Sequence, residues 1–71
     1  MKTNTAFVAL MYDEWGRLIG VSGVYSAQEN AEADLKRRYS DLTYDPDYKL
    51  PWNSGEGRVS FRIEKHTVDL N

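Results

Sequence analysis

Two apolar stretches near the N-terminus predict a β-hairpin. The first, residues 5–12, is apolar on both of its alternating faces, as is typical of a strand in the middle of a sheet. The second, residues 18–25, reads as the return strand, and its glycines at positions 20 and 23 indicate a bulge. Residues 13–17 have the composition of a hairpin loop, so the two strands are expected to be antiparallel.

An apolar stripe that repeats about every four positions predicts one helix over residues 26–40. Ser26 and Glu29 have the spacing of a capping box, in which both side chains bind free backbone amides. Acidic residues lie early in this segment and basic residues lie late, which complements the helix dipole. The residues of the stripe that is expected to face the core are Ala27, Ala31, Leu35, Tyr39 and Leu42.

The C-terminal part of the chain predicts a long loop followed by a last strand. Residues 41–57 include two prolines and show no periodicity, which is typical of a loop. Residues 58–69 begin with alternating apolar and polar side chains, which predicts a strand. The apolar phase changes at Val68, which predicts a bulge or a strand end near residues 65–67.

These elements predict a single α+β domain over residues 1–71 with the element order ββαβ. If the helix crosses over the first strand, the last strand pairs on its other side and gives a three-stranded antiparallel sheet of order 2-1-3. One helix covers only one face of this sheet. The other face is left for the long loop, a partner protein or a second copy, and a homodimer would bury that face or pair the edges of the last strands.

The composition limits where the protein acts. The chain has no cysteine, which excludes disulfides and thiolate metal sites and is typical of a reducing compartment. No run approaches the ~18 apolar residues of a membrane span, and the N-terminus lacks the apolar core of a signal peptide. We therefore expect a soluble, cytoplasmic protein that does not act at a membrane.

Residue types that carry catalysis or metal binding are sparse. His66 is the only histidine and has no identifiable nucleophile beside it, so we expect no catalytic site and no enzymatic activity. Asp41, Asp45 and Asp47 offer oxygen ligands, but the glycine and the bidentate glutamate of an EF-hand loop are missing. We therefore expect no metal and no cofactor.

Nine aromatic residues are more than so small a core can enclose, which predicts aromatic side chains on the surface. Trp15, at the hairpin tip, either folds back onto the sheet or contacts a partner, since tryptophan and tyrosine dominate interface energetics. Trp52 either caps the open sheet face or contacts a partner in the same way. Acidic residues accompany both tryptophans and would steer the chain toward a positively charged partner. The candidate partner-binding residues are Asp13, Glu14, Trp15, Asp41, Tyr44, Asp45, Asp47, Tyr48 and Trp52.

The net charge of −2, from eleven acidic and nine basic residues, argues against a protein that works by contacting phosphates. A local basic patch still offers an alternative, a small nucleic-acid-binding regulator whose aromatic rings stack on bases. The sequence carries no helix-turn-helix pair, KH loop or RRM aromatic motif to support base reading. The candidate residues of this patch are Lys36, Arg37, Arg38, Arg58 and Arg62.

Two short motifs carry a resemblance to known proteins. The chain contains a "G-V-Y-S-x-x-x-x-A" entry to the helix and a closing "F-x-I-x" strand that ends in an acidic residue. In these features it resembles a loose group of small uncharacterised domains of phages and other bacterial mobile elements, although the long segment 41–57 departs from their pattern. The matching residues are Val24, Tyr25, Ser26, Ala31, Phe61, Ile63 and Asp69.

This resemblance implies an accessory protein without enzymatic activity. Small acidic phage proteins of this kind inhibit host machinery, including CRISPR effectors and nucleases, by occupying a basic surface. The resulting hypothesis is a protein-binding inhibitor or adaptor, similar to an anti-CRISPR, that acts by steric and electrostatic occlusion of a basic surface on a host protein.

Overall fold

The chain folds as one antiparallel sheet with a helix packed on one face. The computed structural model describes the backbone of residues 2–70 and the side chains of residues 4–67. In sequence order the elements are β1 (Lys2–Asp13), β2 (Leu18–Tyr25), α1 (Gln28–Arg38), β3 (Thr43–Tyr44), β4 (Trp52–Ser54) and β5 (Val59–Leu70). The strand order is β2-β1-β5-β4-β3. The α+β class and the relative order of the three long strands are therefore confirmed.

The prediction of three strands with a long loop is wrong, because segment 41–57 contributes two more strands. Tyr44 in β3 pairs with Trp52 in β4, and Trp52 in turn pairs with Phe61 in β5. Both prolines lie outside these strands, where their missing amide hydrogens cost no ladder hydrogen bond. Strands of two and three residues are too short to show an alternating pattern, so periodicity alone does not reveal them.

The irregularities of the sheet lie in β2 and not in β5. Pairing between β1 and β2 shifts register twice, which leaves Ile19 and Ser22 without a partner opposite and confirms the predicted bulge in this strand. Strand β5 pairs with β1 without interruption, so the predicted irregularity at residues 65–67 is wrong. The predicted phase change rests on Val68, whose side chain lies outside the described residues.

The helix begins two residues after the predicted capping serine, at Gln28. Ala27 occupies the N-cap position with extended backbone angles and makes no side-chain cap hydrogen bond, so the predicted capping box is wrong. The Ser26 hydroxyl instead accepts a hydrogen bond from Asn30 Nδ2 at 3.4 Å. Burial of Ala31 and Leu35 against the sheet fixes the helix, which confirms the predicted apolar stripe. Within residues 2–70, no helix has the length and apolar content needed to cross a membrane.

The core lies between the helix and the sheet, and it is small. Leu35 and Phe61 are the largest fully buried side chains in the described part of the chain. The Tyr39 ring lies 5.2 Å from the Phe61 ring and extends the core toward the end of the helix. The buried apolar residues among positions 4–67 are Ala9, Ala31, Leu35, Trp52 and Phe61.

The helix covers only one side of the sheet. The opposite side is here called the open face. In β1, alternate side chains from Val8 to Tyr12 point away from buried Ala9, and each pairs with an aliphatic residue of β2. Leu18, Val21 and Val24 of β2 are 59%, 59% and 64% exposed. The prediction that one helix leaves one sheet face uncovered is therefore confirmed. The apolar residues of the open face are Val8, Leu10, Tyr12, Leu18, Val21 and Val24.

Gly57 lies so close to the core that a side chain does not fit. A Cβ at this position would lie 2.9 Å from Tyr39 Cε1 and 3.1 Å from Ser54 Oγ. We expect Gly57→Ala to lower the free energy of unfolding by about 1–3 kcal/mol, because added volume displaces packed neighbours. Gly55→Ala is the matched control, since its Cβ would meet Asp41 Oδ2 at an ordinary 3.6 Å, and its effect should stay within about 0.5 kcal/mol. Urea unfolding followed by circular dichroism measures both, and equal losses would contradict this packing.

Asp34 connects the helix to β2 through a charged cluster. Its carboxylate accepts a hydrogen bond from the Tyr25 hydroxyl at 2.5 Å and pairs with Arg37 and, at 3.1 Å, with Arg38. The hydrogen bonds from Tyr25 and Arg37 hold the pKa of Asp34 below its ordinary 3.8. Burial and the hydrogen bond to Asp34 raise the pKa of Tyr25 above 10.0.

The Asp34 cluster should make folding sensitive to acid. Because the folded pKa of Asp34 is lowered, its contribution to stability is complete above pH 3.8 and is lost as the pH falls through the folded value. We expect Asp34→Asn to lower the free energy of unfolding at neutral pH. We also expect the free energy of unfolding of this variant to fall less steeply than that of the wild type as the pH is lowered. Denaturant unfolding at a series of pH values tests this, with exposed Asp47→Asn as the control. An unchanged acid decline in Asp34→Asn would show that the cluster does not couple protonation to folding.

Candidate functional site

The hairpin tip and the segment between β3 and β4 meet in an open groove of about 490 Å³, here called the end groove. One wall is the β1–β2 turn, which includes Trp15. The other wall is formed by residues 48–50, and the floor by Asn53 of β4 and Ser60 of β5. Ser60 pairs with Tyr12, whose side chain lies on the open face, so the groove lies at one end of that face.

The first wall is a turn that Asp13 fixes by hydrogen bonding. Its Oδ1 accepts hydrogen bonds from the Trp15 amide at 3.0 Å and the Arg17 amide at 2.8 Å. Gly16 adopts a φ of +80°, which a residue with a side chain rarely adopts. The turn presents Trp15 outward with 74% of its surface exposed, so the alternative of a ring folded back onto the sheet does not apply. Glu14 lies beside it and is also exposed.

The second wall is shaped by a turn around Asp45. The Asp45 amide donates to the Pro51 carbonyl at 2.7 Å, and Asp45 Oδ1 accepts from the Asp47 amide at 3.1 Å. The Tyr48 amide donates to the Asp45 carbonyl at 3.3 Å, which closes the turn. Tyr48 is 65% exposed in the groove wall, where Lys49 and Leu50 accompany it. Asp45 therefore acts as a turn residue, while exposed Asp47 contributes charge at the surface.

The floor of the groove joins the two walls, and its residues are not among those predicted from the sequence. Asn53 Nδ2 donates to the Leu50 carbonyl at 3.1 Å, and Asn53 Oδ1 accepts from the Ser60 hydroxyl at 2.7 Å. Asn53 follows buried Trp52 in β4, so its side chain points to the open face. No local pattern places Asn53 there, because a strand of three residues is too short to show an alternation.

Trp52 is buried on the helix side of the sheet, so the expectation that it caps the open face is wrong, and its side chain does not lie at the surface where a partner would contact it. It is only 6% exposed and packs on the helix side of the sheet with Phe61. The Tyr44 ring packs against it in a tilted arrangement, with 4.4 Å between the ring centers, and Lys36 Nζ lies 6.0 Å from the center of the Trp52 ring. Tyr44 keeps 54% of its surface exposed, but it lies on the face opposite the end groove. These two aromatic residues belong to the core and its margin.

Asp41 also lies apart from the end groove and has a structural role. It accepts hydrogen bonds from the Ser54 hydroxyl at 2.7 Å and from the Glu56 amide at 2.8 Å. The hydrogen bond from Glu56 and that from Ser54 lower the pKa of Asp41 below its ordinary 3.8. Its carboxylate therefore holds the β4–β5 turn against the segment that follows the helix.

The five basic residues considered for nucleic-acid binding do not form one surface. They lie at three places: the end of α1, the turn before β5 and the open face. Arg62, on the open face, pairs with Glu64 at 3.3 Å. Lys36, Arg37 and Arg38 end the helix, Arg58 lies in the turn, and Arg62 lies in β5.

The end groove has the chemistry of a binding site. Its walls carry two carboxylates, Asp13 and Glu14, one ammonium group, Lys49, and two exposed aromatic rings. His66 lies away from it and contacts Glu64 at 3.1 Å. Among the side chains that the structure describes, no group of three histidine, aspartate or glutamate residues is placed to hold a metal ion.

The nine predicted partner-binding residues thus separate into three groups. Asp13, Glu14, Trp15 and Tyr48 line the end groove. Asp45 and Asp47 form the turn behind its second wall, and Asp41, Tyr44 and Trp52 lie elsewhere.

Comparisons of the chain with known protein families, with curated proteins and with solved structures find no match.

Proposed function

We propose that this chain is a non-enzymatic protein-binding inhibitor or adaptor that uses the end groove to cover a basic surface on another protein. Nucleic-acid-binding grooves of nucleases and CRISPR effectors are surfaces of this kind. The bound chain would block such a surface by its bulk and by its negative charge. The exposed aromatic rings and the carboxylates of the groove and its margin favour this class of partner.

The observation that carries the proposal is the pair of aromatic rings in the end groove. Trp15 and Tyr48 come from separate segments, yet both expose well over half of their surface at one site. An exposed tryptophan places apolar ring surface in water and does not stabilise the fold. At an interface, in contrast, tryptophan is among the residues that contribute most to affinity. The hydrogen bonds of Asp13 to the turn hold Trp15 in place before binding, which reduces the entropy lost on association.

Carboxylates around the rings supply the electrostatic preference. Glu14 lies in the groove beside Trp15, and Asp47 lies in the turn next to Tyr48. Complementary charge of this kind accelerates encounter more than it strengthens the final complex. Exposed charges act over about 8 Å at physiological ionic strength, so this acceleration should weaken as salt is added.

Association kinetics test the electrostatic part of the proposal. The partner is first captured from a cell lysate and identified by mass spectrometry, and its association with the purified chain is then measured at low and high salt. Glu14→Lys combined with Asp47→Lys should slow association about 10-fold or more at low salt, and the difference should shrink at high salt. Glu29→Lys, on the exposed start of the helix, is a control for the introduced charge.

The outcomes separate the candidate functions. Equal association rates for the double variant and the wild type would contradict steering by the end groove. A complex that contains nucleic acid and is lost on nuclease treatment would favour the alternative of a nucleic-acid-binding regulator. Faster association of the double variant would show that the contacted surface is acidic.

A further inference from the structure

We infer that the open face packs against the open face of a second copy of this chain. The candidate contact residues are six apolar side chains of β1 and β2, and the polar side chains of β5 lie beside them. This surface is separate in chemistry from the end groove, although the two adjoin at Tyr12 and Ser60. The inference therefore does not depend on the proposed function.

The apolar patch is large for so small a protein. Leu18, Val21 and Val24 each expose more than half of their surface, and three partly exposed residues of β1 lie next to them. Together they present on the order of 400 Å² of apolar surface, which is within the size range of the largest apolar patch on a soluble monomer, and such patches are often functional. An interface of standard size takes about 800 Å² from each partner, of which somewhat more than half is apolar. The patch thus supplies roughly the apolar area that one side of a dimer interface needs.

The charges on the open face favour a second copy over a charged partner. Strand β2 contains no acidic or basic residue, so its half of the face neither attracts nor repels charge. In β5, Arg62 and Glu64 lie on the same face as Leu10 and Val8, with one positive and one negative charge. Because these two charges cancel, this part of the face carries no net charge that would repel a second copy placed on it by a two-fold rotation. A strongly basic partner would gain nothing from this surface.

The size of the core gives a further reason for self-association. Chains of about 70 residues bury little apolar surface, and many depend on disulfides, metals or oligomerisation. This chain has no cysteine, and among the side chains of residues 4–67 the only large ones that are fully buried are Leu35 and Phe61. Two sheets packed face to face, about 10 Å apart, would create a second core between them. The open face of each copy would form one side of this second core.

The mass of the protein in solution tests the inference. Sedimentation velocity from about 1 to 200 µM should show the wild type changing from the 8.2 kDa monomer to a species of twice that mass. Val21→Lys should remain monomeric across this range, because the pairing would bury an unpaired ammonium group. Ala33→Lys is the matched control, since it adds the same charge on an exposed helix position and should dimerise like the wild type.

A second measurement on the unmodified chain covers the case in which Val21→Lys fails to fold. Methyl resonances of Val21 and Val24 should shift with protein concentration, while that of Ala33 should not. A wild type that stays monomeric at about 200 µM, with concentration-independent methyl resonances, would overturn the inference. Dimerisation that persists in folded Val21→Lys would also overturn it.

The failure of this inference and that of the proposed function can be told apart. Variants of Glu14 and Asp47 should keep the dimer and lose fast association with the partner. Val21→Lys should lose the dimer and still expose the end groove.

Discussion

Phe61→Ala is expected to remove a large share of the protein's free energy of unfolding at 25 °C. Phe61 is fully buried, pairs with Met11 on one side and Trp52 on the other, and has the Tyr39 ring 5.2 Å away. Truncation of a buried phenylalanine costs about 3–5 kcal/mol through lost burial and the remaining cavity. A chain of 71 residues has a total stability of about 4–10 kcal/mol, so this one loss removes much of it.

Urea unfolding monitored by circular dichroism measures this loss. Tyr48→Ala is the control, because it also truncates an aromatic ring, but one that is 65% exposed, and its effect should stay within about 0.5 kcal/mol. A loss below about 1.5 kcal/mol in Phe61→Ala would place the core elsewhere.

Trp15→Ala is expected to cause the largest loss of partner binding of any single substitution. The ring is presented by a fixed turn and contributes little to the fold, because 74% of its surface is exposed. Removing a tryptophan at the center of an interface costs about 2 kcal/mol or more, which corresponds to a roughly 30-fold weaker dissociation constant. Isothermal titration with the purified partner measures this change.

The conservative variant Trp15→Phe distinguishes a contact from a structural role. It keeps an aromatic surface and should retain part of the lost affinity, while both variants should unfold at the same denaturant concentration as the wild type. Undiminished affinity in Trp15→Ala would show that the partner does not use the end groove.

Long, regular patterns in the sequence were enough to predict most of the architecture. The four-residue stripe of Ala31 and Leu35 identifies the helix and its buried side, and the two apolar faces of β1 indicate a strand in the middle of the sheet. The open face followed from the same reasoning, since one helix cannot cover both sides of a sheet.

Short strands and long-range contacts could not be read in the same way. Trp52 is buried because β4 pairs with β5, and a strand of three residues leaves no period that predicts this pairing. The capping box failed because Ser26 lies one residue before the position that caps the helix. The local signal indicated the region in which the helix begins but not the residue at its N-cap.

The candidate site was predictable where it is local and unpredictable where it is assembled by the fold. The hairpin tip with Asp13, Glu14 and Trp15 is contiguous in sequence, although the sequence leaves open whether the Trp15 ring folds back onto the sheet. The second wall and the floor depend on hydrogen bonds between Asn53, Leu50 and Ser60, which only the folded sheet brings together. Sequence alone therefore gave one half of the end groove.

Capture from a cell lysate with matched baits tests the central claim most directly. Wild type, Trp15→Ala combined with Glu14→Lys, and the control Glu29→Lys are each immobilised, and the proteins retained are quantified by mass spectrometry. The wild type and the control should retain the same protein with a basic surface, and the double variant should lose it at least 10-fold. Equal retention of that protein by all three baits would contradict a binding role for the end groove.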